Sequence, residues 1–322
     1  MSETQTPVDT TTPLAFVGLG AMGLPMTRQL AATGHRVTVY DLSDAAQAEA
    51  DAIDGVLLAE NGAAAAAAGR VLFTCLPNDA ILREAYLGAG GLGQAVPEGA
   101  ITIDCSTVSP AVTTQVHDSL AGRGVRHLDA AMLGSVPQAE TGEIGFVVGG
   151  ARSAFDDAGP LLDILGRFRS YAGPSGSGNR IKLIHQTLVA TNAVAVAEAV
   201  ALCLNSGTDL DCFYDVVCNG GGMAHSRYFE KRIPRMREGE FSPLFALDLM
   251  RKDVGLAQAL AHASETPAPL LDRVVERMAA ASEAGHGGED FSAVARLYEQ
   301  AIGRPFGPET APEDQREHRA QG

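Results

Sequence analysis

The chain has 322 residues, of which 46% are hydrophobic and 20% are charged, so it is long and apolar enough for two globular domains with buried cores. Its formal net charge of −15 disfavours binding to nucleic acid or to an anionic membrane, because both need clustered lysine and arginine. Five cysteines without C-x-x-C pairs indicate reduced thiols. Neither end has the sequence of a signal peptide and no uninterrupted apolar run stands out at bilayer length, which predicts a cytoplasmic protein.

The first half of the chain has the pattern of an α/β domain. Residues 1–12 are rich in Thr and Pro and residues 307–322 are charged, so both are predicted to be disordered tails. Residues 13–174 alternate β-rich runs with helical segments, which predicts a Rossmann-type, doubly wound domain with a parallel sheet between two helical layers. The predicted strands are 14–18, 36–40, 70–75, 100–104, 125–129, 144–149 and 168–171.

The first predicted strand runs directly into glycines with the spacing G-x-G-x-x-G. In a dinucleotide-binding turn, Gly18 lets the chain leave the strand sharply, Gly20 lets a pyrophosphate approach the backbone, and Gly23 lets the next helix pack closely on the sheet. The phosphate charge then lies at a helix N-terminus. The spacing alone also occurs in ordinary strand-to-helix turns. The residues expected to bind the cofactor here are Gly18, Leu19, Gly20, Ala21, Met22 and Gly23.

Asp41 ends the second predicted strand, eighteen residues after Gly23. A carboxylate at this place accepts hydrogen bonds from both ribose hydroxyls and repels the 2′-phosphate of NADP, so we expect the cofactor to be NAD. The alternative is that Asp41 is a turn residue that caps the next helix.

A run of Gly, Pro and Ser at residues 173–178 marks the predicted domain boundary, because these residues break helices. Residues 179–206 are mostly apolar or small and contain no Pro or Gly, which predicts a long interdomain helix. Residues 175–306 are therefore predicted to form an all-α C-terminal domain for substrate binding and oligomerisation.

Lys182 is the only lysine in this apolar helix. It either extends its amine to the surface or is a functional amine whose charged form is disfavoured by burial. Its place just after a glycine-rich hinge, where a cleft between domains would open, favours proton transfer to or from an alcohol oxygen. Gln186 follows one helical turn later on the same face, where it is placed to hold the amine or a substrate.

Three motifs in order along the chain resemble the β-hydroxyacid dehydrogenase family, which includes 3-hydroxyisobutyrate dehydrogenase and tartronate semialdehyde reductase. Residues 18–26 match G-L-G-x-M-G-x-x-M, residues 176–182 match G-x-G-x-x-x-K, and residues 249–257 match L-x-x-K-D-x-x-L-A. The resemblance implies that Lys182 is the catalytic acid/base and that Lys252 contacts the nicotinamide end of the cofactor. Without the motif, Lys252 beside Asp253 would be interpreted as a solvated helix pair.

Two shorter matches extend the cofactor site that the resemblance implies. Leu76 and Pro77 follow a strand in the place of the family's L-P pair. Residues 104–110 are similar to the turn D-x-S-T-x-x-P, which brings Thr107 to the nicotinamide. Ser106 and Thr107 are also suitable helix N-caps ahead of Pro110.

The substrate loop departs from the family pattern. Residues 129–142 keep the frame of D-x-P-V-S-G-G-x-x-x-A-x-x-G, but Leu133 replaces the serine and Ser135 replaces the second glycine. Gly134 still lets backbone N–H groups approach a carboxylate, and Ser135 supplies a displaced donor. Gln186 replaces an asparagine with the same hydrogen-bonding groups. The apolar Leu133 suggests a substrate that differs from short polar hydroxy acids.

The resemblance implies a reversible, NAD-dependent oxidation of a small 3-hydroxy acid to a semialdehyde or keto acid, with a lysine as acid/base, without a metal ion, in a homodimer or homotetramer. Two alternatives remain. An imine reductase shares this architecture but usually has another residue at the lysine position. A non-catalytic dinucleotide-binding module would keep the fold without the reaction.

Overall fold

An eight-stranded sheet forms the first of two units in a computed structural model, which describes residues 9–307. The first unit ends at Ile184 and the second begins at His185. Of the predicted disordered tails, residues 1–8 and 308–322 lie outside the described residues. Residues 9–12 form a turn in which the Thr12 N–H donates to the carbonyl oxygen of Asp9.

The sheet has the strand order β3-β2-β1-β4-β5-β6-β7-β8. Neighbouring strands are parallel except for β6 and β7, which are antiparallel. The order reverses between β1 and β4, and this reversal creates a crevice at the carboxyl ends of the strands. The strands are β1 (Leu14–Val17), β2 (Val37–Tyr40), β3 (Val56–Leu58), β4 (Val71–Thr74), β5 (Ile101–Asp104), β6 (Arg126–Leu133), β7 (Ile144–Gly150) and β8 (Gly166–Gly173).

Helices cover both faces of this sheet, so the predicted doubly wound α/β fold is confirmed. One buried cluster packs α1 and α8 on the face that contains Phe16 and Phe73, whose rings stack at 5.6 Å. The opposite cluster packs α3, α4 and α6 on Ala15 and Leu72. The helices of this unit are α1 (Gly23–Ala32), α2 (Asp44–Asp51), α3 (Gly62–Ala68), α4 (Asp79–Leu87), α5 (Leu92–Ala95), α6 (Pro110–Ala121), α7 (Val136–Glu140) and α8 (Arg152–Leu165).

Two features of the sheet were not predicted. Strand β3 was missed because only Val56 of its three residues is buried, while Leu57 and Leu58 are exposed, so it has neither an apolar run nor alternation. The reversal at β7 was missed because the pattern of β-rich runs does not give strand direction. Ten residues separate β6 from β7, which is too few for the crossover that a parallel neighbour needs.

The second unit is helical, as predicted. The long helix α9 (Ser177–Asn205) crosses from the first unit into the second. In the part of the chain that the structure describes, it is the one helix whose length and composition would allow it to span a membrane, although polar and charged residues interrupt its apolar sequence. Half of its most apolar window is buried within the protein, as in core helices. The other helices are α10 (Leu210–Asn219), α11 (Arg227–Arg237), α12 (Leu247–Ala263), α13 (Pro269–Ala281) and α14 (Ala295–Ile302).

Candidate active site

The glycine turn after β1 is closely packed at two of its three glycines and open at the third. Gly18 has a φ of +96°, and a Cβ there would collide with the carbonyl oxygen of Cys75. A Cβ at Gly23 would collide with the carbonyl oxygen of Gly18. Around Gly20, by contrast, no heavy atom lies within 4 Å of the place where a Cβ would be. The fold therefore requires glycine at two positions, and the backbone at the third faces open space that suits a pyrophosphate.

Helix α1 begins at the end of this turn. Its N-cap, Met22, makes no side-chain cap, and its first turn has no acidic residue. The first N–H groups of a helix lack intrahelical partners and carry a partial positive charge. The residues at this N-terminus therefore fit the phosphates of a dinucleotide.

Asp41 connects the end of β2 to the glycine turn. Its Oδ2 accepts a hydrogen bond of 2.6 Å from the Leu19 N–H, and its Oδ1 accepts one of 2.8 Å from the Ser43 N–H. The N-cap of α2 is Ser43, whose hydroxyl accepts from the Ala46 N–H. The alternative role of Asp41 as the helix cap is thus filled by Ser43, and the Asp41 carboxylate lies beside the turn, as a ribose ligand requires.

A buried carboxylate, which the sequence reasoning missed, organises the ends of β4 and β5. Asp104 is fully buried, and its Oδ1 accepts from the hydroxyls of Thr74 at 2.8 Å and Ser106 at 2.6 Å. The Ser106 hydroxyl oxygen in turn accepts from the Leu76 N–H at 2.8 Å. Asp104 therefore holds the start of the Leu76-Pro77 segment through Ser106, and the aspartate of the motif D-x-S-T was the available signal.

The N-cap of α6 differs from the expectation. Ser109 has this role, since its hydroxyl accepts from the Val112 N–H at 3.2 Å. Ser106 is used by the Asp104 network instead, so the interpretation of Ser106 and Thr107 as helix caps is wrong. Thr107 lies between these two structural serines, in the short connection from β5 to α6.

Lys182 lies in the second turn of α9, in the first unit. The residue is 8% exposed, which opposes the alternative of an amine extended to the surface. The start of this helix is bound by Asp129, whose Oδ1 accepts from the Gly176 N–H at 2.9 Å and whose Oδ2 accepts from the Asn179 N–H at 2.8 Å. A Cβ at Gly149 would collide with this carboxylate. A strand aspartate thus anchors the helix that carries the lysine.

Asp129 gives a pH-dependent prediction. Burial raises the pKa of Asp129 from its usual value of 3.8 to about 6, although the N–H groups of Asn179 and Gly176 lower it. Because the pKa is higher in the folded state, protonation of Asp129 stabilises the fold below pH 4, and this contribution is lost as the pH rises through 6. The unfolding free energy of the protein, relative to that of Asp129→Asn, should therefore fall by roughly 2 kcal/mol between pH 4 and pH 7. Denaturant titrations of both proteins across this range test it, and a constant difference would contradict it.

The first part of the predicted substrate loop, up to Leu133, is the end of strand β6. Leu133 is the last residue of β6, pairs with Gly145 of β7 and is half-buried. Gly134 follows with a φ of +143°, a conformation that favours glycine. The hydroxyl and the N–H of Ser135 both donate to Oε1 of Gln138 at 2.9 Å. Ser135 is therefore engaged in capping α7.

In the second unit, Gln186 and Lys252 share one carboxylate. Nε2 of Gln186 donates to Oδ2 of Asp253 at 2.7 Å, and Nζ of Lys252 lies 3.0 Å from Oδ1 of the same residue. Asp253 is 1% exposed and Lys252 has a side-chain exposure of 24%. The lysine is held by a buried carboxylate that Gln186 supports, so the interpretation as a solvated helix pair does not describe it.

Both units are similar to domains of known protein families. The NAD binding domain of 6-phosphogluconate dehydrogenase matches residues 13–173, and the NAD-binding domain of NADP-dependent 3-hydroxyisobutyrate dehydrogenase matches residues 176–298. The chain is 31% identical to 2-(hydroxymethyl)glutarate dehydrogenase of Eubacterium barkeri over 90% of this chain and 96% of that protein. It is 34% identical to 3-hydroxyisobutyrate dehydrogenase of Pseudomonas aeruginosa over 89% and 98%.

A solved structure gives the same result. The structure of Mycobacterium tuberculosis 3-hydroxyisobutyrate dehydrogenase with L-serine is 29% identical and has a TM-score of 0.82. It covers 89% of this chain and 99% of that chain. The similarity therefore extends through the sheet, the long helix and the helical unit.

Proposed function

The chain belongs to the β-hydroxyacid dehydrogenase family and is an oxidoreductase with a dinucleotide-binding domain, and from this premise we propose that it is an NAD-dependent dehydrogenase. Its reaction is the reversible oxidation of a small 3-hydroxy acid to the corresponding semialdehyde or keto acid. Lys182 is the general acid/base.

The observation that carries this proposal is how the chain uses lysine. Of its 24 lysine and arginine residues only three are lysines, namely Lys182, Lys231 and Lys252. A guanidinium group stays protonated in proteins, whereas an amine can release and regain its proton. A chain that mostly uses arginine has a lysine, 8% exposed, at the position where the family motif requires proton transfer. The same lysine disfavours the imine reductase alternative.

The chemistry of Lys182 is then straightforward. NAD supplies the hydride acceptor when it is bound. In oxidation, the neutral amine accepts the proton of the substrate hydroxyl. In reduction, the ammonium donates a proton to the carbonyl oxygen, and its charge stabilises the negative charge that develops there. The ammonium thus has the electrostatic role that a metal ion has in other dehydrogenases.

The other residues bind and orient. We propose that the glycine turn 18–23, Asp41, the segment 76–77, Thr107 and Lys252 hold the cofactor. Backbone N–H groups at Gly134 bind the substrate carboxylate, and Leu133 provides an apolar contact beside it. Because Ser135 and Gln186 already bind Gln138 and Asp253, they support the site through these neighbours.

The test is an assay of NADH formation with the hydroxy acids that the relatives' names indicate. These are 3-hydroxyisobutyrate, 2-(hydroxymethyl)glutarate, L-threonate and L-serine. The same preparation is tested for reduction of a cyclic imine. Oxidation of one or more hydroxy acids supports the proposal. Imine reduction without hydroxy-acid oxidation would favour the imine reductase, and NADH binding without either activity would favour a non-catalytic module.

The cofactor preference is a separate prediction. We expect kcat/KM with NAD to exceed that with NADP by about 100-fold or more, because the 2′-phosphate would meet the Asp41 carboxylate, and close like charges cost several kcal/mol. Asp41→Asn should reduce this preference at least about tenfold. Asp44→Asn removes the same charge from an exposed residue in the first turn of α2 and should leave the ratio unchanged. Equal or better use of NADP by the unmodified protein would overturn the assignment.

We propose further that the enzyme is a cytoplasmic homo-oligomer, either a dimer or a tetramer. In a single chain, Leu188 and Leu202 of α9 are 65% and 71% exposed. Burying such side chains against a second copy is favourable, and closed homo-oligomers are the usual way to do so.

A further inference from the structure

Asn179, in the first turn of α9, connects three elements of the first unit. It is fully buried. Its backbone N–H, its Oδ1 and its Nδ2 each form a hydrogen bond with a different residue. Its backbone N–H donates to Asp129 of β6 at 2.8 Å. Its Oδ1 accepts from the Val108 N–H at 3.2 Å, and its Nδ2 donates to Oγ1 of Thr113 in α6 at 3.2 Å.

These contacts link two groups that the proposed reaction needs. Val108 directly follows Thr107, which is proposed to contact the nicotinamide. Lys182 follows Asn179 by three residues, which is about one turn of the same helix. One turn of an α-helix is rigid. A residue that fixes the start of α9 relative to Val108 therefore also fixes the position of the Lys182 amine.

The backbone before Asn179 does not supply this rigidity. Gly173 and Gly176 have φ values of +125° and +84°, and Gly178 directly precedes Asn179. Glycine has the largest conformational freedom of any residue, so the entry into α9 depends on side-chain contacts for its position.

We propose that Asn179 is a positioning residue for the reaction. By accepting a hydrogen bond from the Val108 N–H, it fixes the first turn of α9, and with it the Lys182 amine, relative to the turn that contains Thr107. It is too deeply buried to act on a substrate, and it works through the backbone of α9 and of residue 108. The inference rests on the proposed role of Lys182. A displacement of about 1 Å at a reacting group can cost about 100-fold in rate, so a loose helix start would lower kcat.

The test compares Asn179→Ala with Thr113→Val. Thr113→Val removes the partner of Nδ2 in nearly the same volume but leaves the bond from Val108 to Asn179, so both variants lose buried hydrogen bonds. We expect Asn179→Ala to lower kcat by about 10- to 100-fold, with KM and the Kd for NADH within about threefold. Thr113→Val should keep kcat within about threefold of the unmodified enzyme. Thermal unfolding of both variants measures the purely structural loss.

A second readout needs neither substrate nor cofactor. Because the chain has three lysines, pulse labelling with an acylating reagent and peptide mass spectrometry can report Lys182 relative to the exposed Lys231. We expect the ratio of labelling at Lys182 to that at Lys231 to rise several-fold in Asn179→Ala and to stay unchanged in Thr113→Val. Equal kcat and equal labelling ratios in the two variants would overturn the positioning role.

Two further outcomes are distinguishable. If the unmodified protein oxidises no hydroxy acid, the proposed function fails, while the labelling ratio still decides whether Asn179 holds the lysine. If Asn179→Ala does not fold, the double variant Asn179→Leu with Thr113→Val replaces both partners by apolar groups of similar shape, which is often close to neutral for stability. It still removes the acceptor of the Val108 N–H and should show the same loss in kcat and the same rise in labelling.

Discussion

Replacing Lys182 with alanine is expected to lower kcat for hydroxy-acid oxidation by about 1000-fold, because a positioned general acid/base contributes about 10²- to 10⁴-fold. The Kd for NADH should stay within about threefold, since the phosphate-binding turn and Asp41 lie in other elements. Steady-state assays measure kcat, and a fluorescence titration with NADH measures the Kd. Unchanged turnover would remove the proposed mechanism.

The chain offers a matched control for this substitution. Lys231→Ala removes the same charge and the same amine from a surface position, where the lysine pairs with Glu230 at 3.0 Å. Exposed pairs of this kind contribute little to stability, so this variant should resemble the unmodified enzyme. Lys182→Met, which keeps most of the side-chain length without the amine, guards against a cavity effect and should be as inactive as Lys182→Ala.

The glycine turn is expected to separate cofactor binding from folding. In Gly20→Ala the new methyl group has no neighbour within 4 Å, so the melting temperature should stay within about 2 °C, but the methyl fills the space that a pyrophosphate needs. The Kd for NADH should rise about tenfold or more, which corresponds to about 1.4 kcal/mol. In Gly23→Ala the methyl collides with the carbonyl oxygen of Gly18 inside the packed turn. A loss of about 3 kcal/mol would lower the melting temperature by about 6 °C or more.

Calorimetry and NADH titration of these two variants provide the measurement. Gly288→Ala is the control, because Gly288 is an exposed glycine with open space around it in the second unit, and it should change neither quantity. If Gly20→Ala binds NADH normally while folding normally, the pyrophosphate does not approach this backbone. If Gly23→Ala is as stable as the unmodified protein, the close approach of α1 to the strand exit is not a constraint on the fold.

Features that depend on local sequence were predictable. Strands such as β1 and β4 are buried on both faces and appear as short apolar runs, and α9 appears as a long segment without Gly or Pro. The glycine turn is a local pattern for the same reason. Strand β3 was missed because a short edge strand with one buried residue leaves no pattern in the sequence. The direction of β7 was missed because β6 was predicted to end at residue 129, whereas it continues to Leu133 and leaves too short a connection for a parallel crossover.

The supporting contacts of the site were not predictable, because they join residues that are far apart in the chain. Asp129 and Asn179 are separated by 50 residues, and Gln186 and Asp253 by 67. No helical or strand period relates such pairs. Even the choice of a helix cap depended on competition between neighbouring residues. Ser106 is a suitable N-cap residue, but its hydroxyl donates to the buried Asp104. Ser109 is the N-cap of α6 instead.

The reversal of the sheet after β6 has a consequence for how substrate preference can change. Strand β6 passes Asp129, which is level with the last residue of β5, and continues for four residues to Leu133, paired throughout with β7. With their partners in β7, these four residues form a ribbon that extends about 13 Å beyond the end of β5. Position 133 is therefore part of a strand that is hydrogen-bonded to β7. Its side chain can be substituted while the backbone at the adjacent Gly134 stays in the same position. If the proposed function holds, substitutions at position 133 can change which hydroxy acid is accepted, while the contact of the Gly134 backbone with the substrate carboxylate is kept.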